Sequence, residues 1–393
     1  MSPSPDSPST SALQPEASVE DRYAAGAQAV EPALCCPTSY DPTLLEALPK
    51  EVIERDYGCG DPSKHLRPGE RVLDLGSGTG KICFIASQVV GPEGSVVGVD
   101  MTDEMLEVAR AAQAPVAESV GYANVEFHKA HIQDLRLDRD WLDKRLADDP
   151  VRNEQQMRAL DSEIERRRME TPLIPDDSID VVVSNCVLNL VRSEHKPVLF
   201  EELYRVLGRG GRAVISDIVS DESVPLALQE NEELWSGCIS GALREEDFLK
   251  AFEDAGFHGV QVLERQEAPW RVVEGIEFRS LTVEAFKGKE GECLECGQSV
   301  VYKGPFKEVL DDDAHTYPRG QAVAVCHKTY NLLLNGPYAA DFIFLEPESA
   351  IDPAQAAPFP CTQGVLLRSA AERKAGTQLT AGGEDCAADS GCC

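Results

Sequence analysis

The sequence predicts an α/β fold: a mostly parallel sheet with helices on both faces, followed by a smaller α+β domain. Three observations carry this. Short apolar runs (RVLDL, SVVGVD, VEFHKA, DVVVSN, RAVISDI) alternate with helix-period segments, the pattern of a sheet buried on both sides. The first run ends in the glycine-rich turn DLGSGTG, which reads as a strand-to-helix junction. Beyond about residue 287 the rhythm changes to GECLECGQSVVYKG, an acidic turn and QAVAVCHKTYNLLL, so a separate domain is expected there. At 393 residues and 42% hydrophobic, the chain is long enough for two or three folding units.

Taken in order, residues 1–35 are rich in Ser, Pro, Ala and Glu without a period and are expected to form a disordered tail. The main domain is expected over 36–286. Its first strand, Arg71 to Leu75, runs through the glycine turn into the helix KICFIASQVV, and SVVGVD follows as the second strand. Thr102 is placed to cap a helix with Asp103 and Glu104 in its first turn and Met105, Val108, Ala109 and Ala112 on one face. Residues 138–170 are densely charged and helix-prone, with Pro150 dividing them; a solvated insertion is expected. HKPVLFEELYRVL reads as a helix terminated by GRGG. Residues 287–370 form the expected C-terminal domain, and 371–393 a flexible tail that contains cysteine.

Charge narrows the function classes. Acidic residues outnumber basic ones 68 to 37, for a formal net charge of −31, which disfavours nucleic acid and anionic membranes as partners. No apolar run reaches the roughly 18 residues of a membrane span. The N-terminus has neither a secretory apolar core nor an arginine-rich transit pattern. A cytoplasmic, monomeric protein acting on small molecules is expected.

The turn Asp74-Leu75-Gly76-Ser77-Gly78-Thr79-Gly80 sits at the carboxyl end of the first strand, where open α/β sheets bind ligands. Its glycines alternate, unlike the dinucleotide G-x-G-x-x-G fingerprint. Asp100 ends the second strand 20 residues past Gly80, the place of a carboxylate that grips two ribose hydroxyls. A nucleoside without a diphosphate is implied. These residues resemble the Rossmann-like class I methyltransferases that use S-adenosyl-L-methionine. The resemblance implies a cofactor site of Tyr57, Asp74, Gly76, Ser77, Gly78, Gly80, Asp100, Met101, His131, Ile132 and Ser184. Asp74, Gly76 and Gly78 would lie near the methionine moiety, Met101 would flank the adenine, and His131-Ile132 would cover its edge. The plainer alternative is a tight turn and a surface acid.

Thirteen cysteines in a large chain without a secretion signal point to reduced thiols with catalytic, redox or metal-binding duties, although a buried free cysteine is also an ordinary small hydrophobe. Cys186 lies in SNCVLNL, straight after VVV, at the end of a strand that the resemblance would place facing the transferable methyl. An idle thiol there would stand beside an electrophile. The placement makes sense if the sulfur holds the nucleophile.

YGCGDP around Cys59, DLGSGTG, GVDMTDEMLEVAR, SNCVLNL and WSGCISGALREEDF around Cys238, in this order, closely resemble the arsenite S-adenosylmethionine methyltransferases over about residues 35 to 330. The resemblance implies that Cys186 and Cys238 bind trivalent arsenic, with Cys59 as third sulfur or redox partner. It also implies that Cys35 or Cys36 pairs with Cys59. The substrates would be arsenite and methylarsenite, the products mono- and dimethylated arsenicals with a third methylation open, and the reductant glutathione or thioredoxin, for detoxification. Two other readings stand beside it: a methyltransferase for a small organic carbon or oxygen acceptor, and a non-catalytic thiol protein that binds metalloids. Cys293-x-x-Cys296 with Cys326-His327 has zinc-ligand spacing, but a lone C-x-x-C is weak, and no catalytic duty is expected of it. Cys83 is expected to pack, and Cys392-Cys393 to fray.

Overall fold

The computed structural model describes residues 15–29, 38–55, 57–361 and 365–373. The chain divides into two compact units, with the boundary between Gly288 and Lys289.

The first unit is built on one sheet. Strands β1 (Arg71–Leu75), β2 (Ser95–Asp100), β3 (Val125–Lys129), β4 (Ile179–Asn185) and β5 (Leu207–Ser220) are joined by β6 (Leu243–Arg244), β7 (His258–Arg265), β8 (Arg271–Val273) and β9 (Ile276–Phe286). The order is β3-β2-β1-β4-β5-β9-β7, with β6 beside β5 and β8 beside β9. From β3 to β5 every pair is parallel; β9 then runs antiparallel to both β5 and β7. Strand order reverses between β1 and β4, which opens a crevice at their carboxyl ends.

Period-two alternation sends neighbouring side chains to opposite faces. Val72, Val181, Val183 and Val214 join one buried cluster with Phe84 and Leu106. Leu73, Leu75, Val182, Ala213 and Ile215 join another with Phe200 and Phe252. Each fully buried chain of this kind contributes roughly 1.5–3 kcal/mol.

Helices α1 (Pro15–Gln28), α2 (Pro42–Leu45) and α3 (Lys50–Glu54) precede the sheet. The faces are covered by α4 (Lys81–Val90), α5 (Asp103–Val120), α8 (Lys196–Val206) and α11 (Glu245–Asp254). The charged insertion forms α6 (Arg139–Asp148) and α7 (Glu154–Glu170), one on each side of Pro150, and only Leu160 is buried on the two. Two short helices, α9 (Leu226–Gln229) and α10 (Glu232–Ser236), lead into Cys238.

Three local expectations are corrected. Part of the stretch expected to be disordered is α1, because Val19, Tyr23 and Ala27 recur on one face, and Val19 and Ala27 are buried. Thr102 precedes α5, but its side chain makes no cap bond; it is turned to the Asp100 carboxylate instead. GRGG does not cap α8 but opens β5 directly, where the register against β4 shifts between Ile179 and Val181.

The second unit holds an antiparallel sheet of β11 (Ser299–Tyr302) between β14 (Ala322–Ala324) and β15 (Phe342–Leu345). Helix α12 (His327–Asn335) packs with it around Val300, Tyr317, Tyr330 and Phe342. β10 (Leu294–Glu295) pairs with β16 (Ala357–Pro358), and β12 (Glu308–Leu310) with β13 (Thr316–Pro318). This is the α+β content expected of the segment.

Candidate active site

The turn after β1 is shaped by glycine. Gly76, Gly78 and Gly80 have φ of 68°, 53° and 88°, the left-handed region that side chains rarely enter. A Cβ on Gly76 would come within 2.4 Å of Val187, and one on Gly80 within 2.6 Å of Phe127. Asp100, at the end of β2, reaches back to this turn: its Oδ2 accepts the Gly78 N–H at 2.9 Å, and its Oδ1 accepts the Thr102 N–H at 2.9 Å. Burial raises the pKa of its carboxyl, against the backbone N–H donors of Thr102 and Gly78 that lower it.

Over this turn opens a cavity. Of the residues expected at a cofactor, Tyr57, Gly76, Gly78, Asp100, Met101 and Ile132 line it, and Cys186 and Val187 belong to the same wall. The other expected residues are not part of that lining. Asp74 is buried, with its Oδ2 accepting from the Cys83 thiol at 3.2 Å. Ser184 donates to the Leu75 carbonyl at 3.0 Å, and Gly80 serves packing against Phe127. Ser77 is buried. His131 Nδ1 lies 3.3 Å from an Arg139 guanidinium nitrogen. Sequence reasoning missed Val19, Tyr23, Arg55, Thr102, Met105 and Gln133 in the lining. Only the apolar period in α1 could have signalled the first two.

The cysteines singled out by the sequence meet beside this cavity. Cys59, Cys186 and Cys238 share one buried apolar cluster with Ile218, Ile239 and Phe278. They arrive from three loops: before β1, after β4 and after α10. Both Cys186 (φ 66°) and Cys238 (φ 62°) adopt left-handed backbone, uncommon for a residue with a side chain and concentrated at functional sites. The Cys186 N–H is held by the Ser216 carbonyl at 2.8 Å, and the Cys238 N–H by that of Trp235 at 3.0 Å. The Cys238 thiol donates to the Cys186 carbonyl at 3.1 Å, and the Tyr23 hydroxyl lies 3.9 Å from the Cys238 sulfur. Burial raises the Tyr23 pKa, and the neighbouring Cys238 and Cys186 raise it further. Cys35 and Cys36 lie outside the described residues.

Two asparagines that flank Cys186 tie these loops together. Asn185 Oδ1 accepts the N–H groups of Cys59 (2.9 Å) and Gly60 (3.1 Å), while its Nδ2 donates to the Gly60 carbonyl at 2.8 Å. The approach is so close that a Cβ on Gly58 would lie 2.2 Å from Asn185 Nδ2. On the other side, Asn189 Nδ2 donates to Asp217 Oδ1 (2.8 Å), to the Ile218 carbonyl (2.6 Å) and to that of Cys238 (3.4 Å). Asp217 also accepts the Leu188 N–H at 2.8 Å, and the buried Lys196 ammonium donates to the Gly241 carbonyl. Burial pushes Asp217 up to about 6 and Lys196 down to about 8, and the two charges oppose both shifts.

A methyltransferase domain model matches residues 66–167 and 152–256, and a domain of unknown function (DUF8838) matches 289–378. The chain is 34% identical over 327 residues to an arsenite methyltransferase of Aquipseudomonas alcaligenes, covering 79% of this chain and 84% of that protein. It is 31% identical over 330 residues to the arsenite methyltransferase of Mus musculus, covering 81% and 78%. Among solved structures it is similar to CrArsM, an arsenic (III) S-adenosylmethionine methyltransferase from Chlamydomonas reinhardtii. That match has a TM-score of 0.53 and 28% identity, and covers 81% of this chain and 99% of the other. The chain is an S-adenosylmethionine-dependent methyltransferase and belongs to the arsenite methyltransferase family.

Proposed function

We propose that this protein transfers methyl groups from S-adenosyl-L-methionine to trivalent arsenic held by Cys59, Cys186 and Cys238. The products are mono- and dimethylated arsenicals, with a third methylation open. The observation that carries the reading is the convergence of three cysteines from distant loops in one buried cluster, with Cys186 also in the wall of the cavity that Asp100 lines.

The residues present fit the methyl donor. The Asp100 carboxylate suits two ribose hydroxyls, Met101 and Ile132 offer apolar contact to adenine, and the backbone at Gly76 and Gly78 is open to the amino-acid end. Bound there, the donor supplies an electrophilic sulfonium methyl. The chain's own task is to hold and aim the acceptor. Trivalent arsenic is soft and prefers thiolates, as soft ions do; three sulfurs satisfy it and leave a lone pair free for in-line attack on the methyl carbon. Fixing both reactants in a dry pocket supplies effective molarities on the order of 10⁵ M or more.

The electrons balance. The arsenic lone pair forms the new bond to carbon, the carbon–sulfur pair stays on the departing sulfur, and arsenic passes to the pentavalent state. Two electrons from Cys59 and either Cys35 or Cys36 return it to the trivalent state with formation of a disulfide, which glutathione or thioredoxin resets by exchange.

The test is methyl transfer from labelled donor to arsenite with glutathione, products separated by chromatography, for the unaltered chain and for Cys59→Ser, Cys186→Ser and Cys238→Ser. Methylated arsenicals from the unaltered chain and their loss in the variants support the reading. Unimpaired turnover in all three variants would overturn it.

A further inference from the structure

Among the described residues, the sulfurs already gathered most tightly are not those of the active site but those of Cys293, Cys326 and Cys361 in the second unit, all within 4.8 Å of one another. The β10–β16 pair makes this happen: the Phe359 N–H donates to the Cys293 carbonyl at 2.7 Å, which brings the chain on to Cys361 beside it. Cys326 comes from the opposite side, as the residue that caps α12. Cys296, the other half of the C-x-x-C spacing, is buried but does not belong to the group. His327 is engaged elsewhere, with Nδ1 on Gln298 at 3.0 Å and Nε2 facing Asn331 at 3.0 Å. The zinc set suggested by the spacing is therefore not the set that forms.

The three sulfurs differ in exposure. Cys326 is buried, Cys293 half-buried and Cys361 exposed, so the group opens to solvent on one side. The Cys326 sulfur accepts the Thr329 N–H at 3.4 Å at the first turn of α12, where helix ends favour negative charge. Burial opposes ionisation of Cys293, but hydrogen bonds from the Cys361 and Cys326 thiols and the nearby Lys328 ammonium outweigh it and lower its pKa. Burial and the adjoining Cys293 push Cys361 up to about 12.

We propose that Cys293, Cys326 and Cys361 form a second, non-catalytic site that binds a trivalent metalloid through three sulfurs. A closed structural zinc site takes four ligands in a tetrahedron; among the described residues no fourth cysteine, histidine or carboxylate joins the group. Three sulfurs with one open side match an ion that carries a lone pair in its fourth direction. Each arsenic–sulfur bond forms as one hydroxyl of arsenite leaves with the thiol proton as water, so three waters are released and no oxidation state changes. The site rests on the proposed function only in that the chain must meet trivalent arsenic.

Arsenite bound per chain, measured by elemental analysis after desalting, tests this in two arms. In the first, Cys361→Ser is compared with the unaltered full chain. It should bind one equivalent less arsenic while methyl transfer proceeds at the unaltered rate, because Cys361 is exposed and belongs to no part of the active site. In the second, Cys35, Cys36, Cys59, Cys186, Cys238, Cys386, Cys392 and Cys393 are all changed to Ser. This chain, shown folded by its circular dichroism, should still bind about one equivalent, with three sulfurs around arsenic by X-ray absorption. Equal arsenic content with and without Cys361 overturns the site, as does zinc in the purified chain that arsenite does not displace. Failure of methyl transfer by the unaltered chain would instead count against the proposed function, and binding in the second arm does not depend on it.

Discussion

The side chain of Asn185 accepts the backbone N–H of Cys59 at 2.9 Å, so the residue that precedes one of the three clustered cysteines fixes the loop of another. Four residues on, Asn189 does the same for the loop of Cys238. Cys186 sits between them. The SNCVLNL segment is a hub from which the other two cysteine loops are held in place.

Replacing Asn185 by Ala removes four hydrogen bonds, three to the Cys59 loop and one to the Tyr40 hydroxyl, and strands two buried N–H groups of that loop. Each stranded group costs about 1–3 kcal/mol. Turnover with arsenite should fall at least about tenfold, while S-adenosylhomocysteine affinity, measured by calorimetry, stays within about twofold. An equal loss in both quantities would show general unfolding rather than a misplaced loop.

Gly58→Ala tests the same contact from the opposite side. The new Cβ would stand 2.2 Å from Asn185 Nδ2, a distance that forces the loop outward. The variant should lose arsenite-dependent turnover as severely as Asn185→Ala, and the double variant should be little worse than either single one. Additive losses would separate the two effects.

The buried pair beneath Asn189 predicts a pH response. Asp217 is raised to about 6 by burial, so its charge is disfavoured in the fold: the penalty is full above pH 6 and is relieved as pH falls from 6 towards 4. Stability from this group rises on acidification, while its carboxylate ceases to be the strong acceptor that positions Asn189. Turnover should therefore fall below about pH 6 with no fall in melting temperature from this group. Lys196, lowered to about 8 by burial, loses its charge above that value, which places the best activity between the two. Asp217→Asn should have low activity and no step near pH 6. A step of unchanged size in that variant would assign it to another group.

Helix α1 roofs the cavity through Val19 and Tyr23 and is pinned by Arg22, whose guanidinium donates to the Glu233 carbonyl and the Ser236 hydroxyl, both at 2.9 Å. Arg22→Ala removes about 1 kcal/mol of fastening per bond. The KM for the methyl donor should rise about fivefold or more, with the thermal melt of the sheet unchanged. No change in KM would mean that the roof takes no part in binding.

Much of the scaffold is legible in the sequence because it is local. The strand Arg71–Leu75, the alternating glycines and Asp100 at the end of the next strand are set by period, turn chemistry and spacing. The cysteine loops were legible through their flanking residues. What escaped depends on contacts between distant segments: the two asparagines differ from ordinary loop residues only through the partners the fold brings to them. Helix α1 was hidden by a Ser- and Pro-rich composition that outweighed its narrow apolar stripe. In the second unit the C-x-x-C spacing pointed to Cys296, whereas strand pairing delivers Cys361, a residue with no motif around it.

Anomalous diffraction at the arsenic edge, from crystals of the chain grown with arsenite and S-adenosylhomocysteine, puts the central arrangement to the most direct test. The peak should lie within bonding distance of the sulfurs of Cys59, Cys186 and Cys238, on the side facing the cofactor cavity. Crystals of enzyme active towards arsenite that show no arsenic at those sulfurs would contradict it.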